Sequence, residues 1–165
     1  MRNLNYIILF TMLSFCACKS NQEFIGNKNV NINQPLQISV PAQIKIGQQL
    51  KIVLSTNLDE GIILFDPMIT KIEKLEDSKW RRVRIVQCPC GANCIPPPNE
   101  KIISKNETWT RSWNLVESWC EKNPKQGFPK TNKLEPTVGK YRAVLYYGYN
   151  NIERIKLTKE FEIIN

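Results

Sequence analysis

From Gln34 to the C-terminus, apolar and polar residues alternate in short runs, and no stretch sustains a helical period between caps. Leu36, Ile38 and Val40 alternate with polar neighbours until Pro41, and Leu50, Ile52 and Leu54 repeat the pattern up to Ser55-Thr56-Asn57. Further runs fall at 61–65, 69–75, 80–87, 101–104, 108–115, 141–149 and 152–164. A period of two between Pro, Gly, Asn and Asp punctuation puts alternate side chains on opposite faces, as a half-buried antiparallel strand requires. Strands this short, with a turn signal about every ten residues, point to an all-β sandwich or barrel.

The run from Tyr141 shows what such a strand asks of its surroundings. Tyr141, Ala143, Leu145 and Tyr147 share one face, and Arg142, Val144 and Tyr146 the other. Both faces are partly apolar, so the strand belongs in the middle of a sheet. Gly139 supplies a permissive backbone just before it. The Tyr141 ring can be buried while its hydroxyl reaches a nearby carbonyl.

These local features occur in a familiar order. Leu54-Ser55-Thr56-Asn57 is followed by Ile62 and Leu64, then Ile72-Glu73-Lys74-Leu75-Glu76-Asp77 leads into Lys79-Trp80-Arg81-Arg82-Val83. Val138-Gly139-Lys140-Tyr141-Arg142 and Glu160-Phe161-Glu162-Ile163 complete the set. Together they resemble bacterial immunoglobulin-like domains of cell-envelope proteins, and similar sandwiches occur in a bacterial proteinase-inhibitor family. The resemblance spans roughly residues 36 to 165 and implies an immunoglobulin-like antiparallel β-sandwich of about 7 to 9 strands. Two insertions depart from the simple pattern, one after Gln87 and one, expected to be a long loop, from Glu117 to Glu135.

The first insertion carries Cys88-Pro89-Cys90-Gly91-Ala92-Asn93-Cys94, then Ile95 and three prolines, Pro96, Pro97 and Pro98; the second carries Cys120. Four cysteines in an exported chain form an even set with three possible pairings. Bonding Cys88 to Cys90 is geometrically awkward. One bond within the loop and one to Cys120 is therefore expected, with Cys88–Cys94 and Cys90–Cys120 favoured and the alternatives open. Zinc is the rival, but Cys-x-Cys-x-x-x-Cys is not the paired spacing of zinc sites and the chain has no histidine, so no metal and no cofactor is expected. A redox role lacks its Cys-x-x-Cys. The three prolines read as a stiff extended spacer.

The N-terminus places the chain. Arg2 precedes an apolar run from Tyr6 to Phe15, about ten residues long, which suits a secretory signal and falls short of the roughly 20 residues of a membrane span. Phe15-Cys16-Ala17-Cys18 followed by Lys19-Ser20-Asn21-Gln22-Glu23 resembles a bacterial lipoprotein signal, with Phe15 where that family usually carries Leu. The resemblance implies cleavage of residues 1–17 and acylation of Cys18, palmitate included, with two or more chains together anchoring the protein stably. An ordinary cleaved signal or an uncleaved anchor is the competing reading. Residues 18–34 are polar enough for a flexible tether, leaving residues 35–165 as one domain.

Charge and composition narrow the function classes. Of 23 Lys and Arg only Arg2 lies in residues 1–17, which leaves 22 against 15 acidic residues and a net charge of +7. In an exported protein this favours anionic lipid or glycan over nucleic acid, for which no motif is present. Without histidine there is no Ser-His or Cys-His chemistry, and no pair of carboxylates stands out for glycoside hydrolysis, so the chain is not expected to be an enzyme. Trp109, Arg111 and Trp113 share one strand face, with Trp80, Arg82 and Arg84 in a similar row; exposed, they could bind a sugar or an anionic polymer, and buried, they are core and rim. The binding candidates are Trp109, Arg111, Trp113, Pro96, Pro97 and Pro98. The expected protein is a lipid-anchored module of the bacterial cell envelope, facing periplasm or exterior, that binds a protein or glycan through its two insertions. The alternatives are an inhibitor of an envelope or secreted protease and a purely structural envelope protein.

Overall fold

The computed structural model describes residues 36–124, 127–149 and 154–165. The expected signal segment, Cys18 and the tether lie outside the described residues. No helix is present among the described residues, and none there is long and apolar enough to cross a membrane. The fold is an all-β sandwich built mainly of antiparallel strands.

Its first sheet joins β1 (Leu36–Ser39), β3 (Leu50–Thr56) and β8 (Thr108–Trp113) in the order β1-β3-β8, all antiparallel. The second runs β2-β12-β11-β4-β7, from β2 (Gln43–Lys45) through β12 (Ile155–Ile164), β11 (Gly139–Gly148) and β4 (Ile62–Phe65) to β7 (Glu100–Ile103). β2 lies parallel to β12, so the N-terminal stretch contributes β1 to one sheet and β2 to the other. Leu50, Ile52 and Leu54 face inward from β3 and Leu64, Tyr141, Ala143 and Leu145 from the other sheet, forming a single core. Each of these Leu and Ile side chains removed from water is worth about 1.5–3 kcal/mol, and their burial holds the two sheets face to face.

Twelve strands are described where about 7 to 9 were expected, and the reason is local. β4 and β5 (Ile72–Glu76) pair with the same edge of β11: Phe65 lies opposite Tyr146 and Ile72 opposite Ala143, so residues 66–71 bulge out against Val144 and Leu145 alone. The next position outward is broken at the same level. β6 (Lys79–Arg82) pairs with β5, β7 pairs with β4, and residues 83–99 leave the sheet between them. Residues 83–87, expected to extend a strand from Trp80, therefore lie outside β6. The expected long loop 117–135 contains a hairpin, β9 (Glu117–Cys120) with β10 (Thr131–Leu134). All of β10 is exposed, so no buried face marks it with an apolar alternation.

The corner before β11 matches its sequence signals. Gly139 has φ +144°, a backbone state that L side chains rarely adopt. The Tyr141 ring is buried against Phe161 and Trp113, and its hydroxyl donates to the Thr137 carbonyl at 2.8 Å. This pins the approach to the central strand. Tyr141→Phe keeps the ring and leaves that carbonyl without its donor, and is expected to lower stability by about 1–2 kcal/mol in urea denaturation; an unchanged midpoint would show that the corner holds without the bond.

Candidate functional site

The two interruptions of the second sheet meet the edge of the first. The bulge brings Met68 and Thr70, the insertion brings Gln87 to Pro97, and β8, at the edge of its sheet among the described residues, brings Arg111. Between them lies a cleft of about 470 Å³, of the size that takes a small ligand. Arg111, Pro96 and Pro97 of the sequence candidates line it.

The tryptophans of the same strand face do not. Trp109 is 7% and Trp113 3% exposed, so both indoles pack the core and neither is offered to a ligand; Trp113 Nε1 donates to the Val116 carbonyl at 3.0 Å. Alternation put them on Arg111's face correctly, and that face is the inner one. Arg111 lies at the rim of the core, as an amphipathic side chain can. The second row is also divided: Trp80 lies under the Arg142 guanidinium at 4.3 Å, Arg82 is exposed, and Arg84 covers the Trp119 ring at 3.7 Å while pairing with Glu117 at 2.6 Å.

The insertion is held to the hairpin rather than to the core. Cys88 is bonded to Cys94 and Cys90 to Cys120, the pairing favoured from the spacing, with Cα separations of 6.3 and 5.5 Å. At its start Ser118 N donates to the Arg84 carbonyl at 2.8 Å, and Val86 N donates to Ser118 Oγ at 3.0 Å. At its end Asp66 N donates to the Asn99 carbonyl at 2.6 Å. Gly91 has φ +78°, and a Cβ there would stand 2.7 Å from Phe128 Cδ1, so only glycine lets the loop close against that ring. Phe128 nevertheless remains 80% exposed and Ile95 91% exposed. These two apolar groups were not singled out from the sequence, where nothing distinguishes an exposed Ile or Phe from a buried one.

The bulge has its own electrostatic fastening. Asp66, itself at φ +51°, accepts from Lys71 Nζ at 2.6 Å and from Arg154 Nη2. The hydrogen bond from Lys71, seconded by Arg154, holds the Asp66 carboxyl below its usual range against the opposing effect of burial. Arg154 also covers the rings of Phe65 and Tyr146.

No family model matches the chain, and no curated protein matches it. Among solved structures, a β-glucosidase from Listeria innocua in complex with gluconolactone is similar over 78% of this chain at 13% identity and a TM-score of 0.32. This chain spans 15% of that protein's length. A superoxide reductase (neelaredoxin) from Ignicoccus hospitalis is similar over 79% of this chain and 81% of its own, at 10% identity and a TM-score of 0.34. Likenesses this distant carry no argument about function.

Two outcomes follow from the fastenings. Replacing Cys90 and Cys120 together by Ser reopens a loop with a sequence separation of 30 and is expected to cost roughly 3–4 kcal/mol on the loop-entropy account, read by urea denaturation; a loss under about 1 kcal/mol would mean that noncovalent contacts suffice. A depressed Asp66 pKa contributes stability that is present above the unfolded value near 3.8 and lost as pH falls through the folded one. Thermal unfolding below about pH 4 should therefore weaken more steeply in the native chain than in Asp66→Asn; parallel curves would show that the ion pairs stabilise nothing.

Proposed function

We propose that this protein is a lipid-anchored binding module of the bacterial cell envelope, without enzymatic activity, whose insertion 88–99 and hairpin 117–134 together make the contact surface. One observation carries the reading. The Cys90–Cys120 bond ties two segments with little core of their own into one rigid projection that bears exposed Ile95 and Phe128. Rigidity of this kind lowers the ordering cost of binding, and exposed apolar anchors on a stiff loop are what an interface uses. Two disulfides suit an oxidising compartment, and the signal-like segment ending at Cys18 supports export and lipid anchoring.

A second reading, an inhibitor of an envelope or secreted protease, is favoured by one feature. Ile95 stands free between Cys94, held in a disulfide, and Pro96, as bait on a braced loop would.

Photo-crosslinking in cells tests the first reading. A crosslinking residue at position 95 is expected to give a discrete adduct that the same residue at the exposed Lys159, on β12, does not. Equal yields from both positions, or none, would remove the loop surface as the binding face. For the second reading, the chain is incubated with serine and cysteine proteases: an inhibitor suppresses activity while residues 88–99 stay intact or are cut slowly, and a plain binder leaves activity unchanged.

A further inference from the structure

Arg111 is a half-buried cation that meets only neutral oxygens. Its Nε donates to Thr70 Oγ1 at 3.0 Å, and its Nη2 donates to the Met68 carbonyl at 2.5 Å and to Gln87 Oε1 at 3.3 Å. The other half-buried arginine among the described residues, Arg142, is held by Glu73 through both Nε and Nη2, at 2.6 and 2.5 Å. No carboxylate lies within ion-pair distance of Arg111 among the described residues, and no other charged side chain lines its cleft. A guanidinium withdrawn from water without a counter-charge is costly, and a bound anion removes that cost.

The hydrogen-bond count leaves part of the guanidinium available to an anion. A guanidinium has five N–H donors. Thr70, Met68 and Gln87 engage Nε and Nη2, leaving Nη1 with no partner among the described residues. No buried side-chain nitrogen or oxygen there lacks a partner, so Nη1 reaches solvent. The three bonds orient the plane of the group while one nitrogen remains available. The cleft that Arg111 lines is otherwise lined by apolar groups that include Met68, Ile95 and Pro96, with Gln87 and Asn93 as its neutral polar side chains.

A single fixed positive charge beside an apolar wall selects a single negative charge attached to an apolar body. Resting on the reading of this protein as a binding module, we propose that the cleft binds a monocarboxylate bearing an apolar substituent, with Arg111 as its anchor and Ile95 and Pro96 as its apolar wall. A planar carboxylate matches the guanidinium in charge and shape. The same chemistry is offered by a free acid and by the C-terminus of a peptide ending in an apolar residue.

The test is a titration of the ¹⁵N-labelled full-length chain in mild detergent, following the Arg111 Nε–H and Gln87 side-chain amide signals. N-acetyl-leucine should give saturable shifts and its amide none. N-acetyl-Ala-Ala-Leu binding more tightly than N-acetyl-leucine would identify a peptide terminus as the source; equal binding would identify a free acid, and both support the site. Arg111→Met should weaken binding by about 10- to 100-fold. Because Arg111 also braces the bulge, Gln87→Glu is the second variant. It places a carboxylate on the guanidinium without removing it, so binding should fall by at least about tenfold while the melting temperature holds or rises. Equal binding of acid and amide, no saturation with either, or undiminished binding in Gln87→Glu would overturn the proposal. A position-95 adduct in cells alongside a flat titration would reject the carboxylate site and keep the module; saturable acid binding without the adduct would do the reverse.

Discussion

Strand β11 depends on cover from three directions. β12 pairs along one edge from Gly139 to Tyr147, β4 and β5 share the other, and the inward face of Tyr141, Ala143, Leu145 and Tyr147 lies against the opposite sheet. A strand so placed has its backbone donors and acceptors met by the ladders and its apolar side chains out of water, and each neighbour is positioned by it in turn. The Tyr141 bond to Thr137 sets where this strand begins.

The same strand explains why the cleft lies where it does. Its partners β4 and β5 are one strand interrupted by residues 66–71, and the sheet's outer position is interrupted at the same level by residues 83–99. Chain expelled from a sheet needs new partners for its backbone and has little apolar surface to bury. Here three kinds of tie replace the lost ladder: the Asp66 ion pairs in the bulge, the Ser118 hydrogen bonds at the start of the insertion, and two disulfides in its middle. The result is a doubly cross-linked insertion beside a cleft that Arg111 helps to line.

Much of the sandwich was legible because burial imposes a period. Leu50, Ile52 and Leu54, or Tyr141 through Tyr147, sit on one wet and one dry side, or between two covered sides, and the alternation records it. β10 was not legible for the same reason, since Thr131–Leu134 has no buried face to write a pattern. The site divided along similar lines. Chemistry and spacing singled out Arg111, Pro96 and Pro97 and favoured the right cysteine pairs, and for Trp109 and Trp113 they offered both a ligand face and the core, where the structure places them. Alternation tells which residues share a face and is silent on which face that is. Ile95 and Phe128 escaped because an apolar side chain carries no mark of exposure.

By itself, then, the sequence determined that the domain is all-β, which side chains travel together along each strand, and that four cysteines were available to brace its insertions. Those properties are local, set by residue type and by a spacing of two. Only the tertiary structure decided that the bulge, the cysteine insertion and the edge strand β8 converge, that Arg111 meets Thr70, Met68 and Gln87 rather than a carboxylate, and that the tryptophans on either side of it are core. These are meetings of residues as many as 43 positions apart, as Arg111 and Met68 are. They depend on how two sheets stack, which no short window of sequence contains.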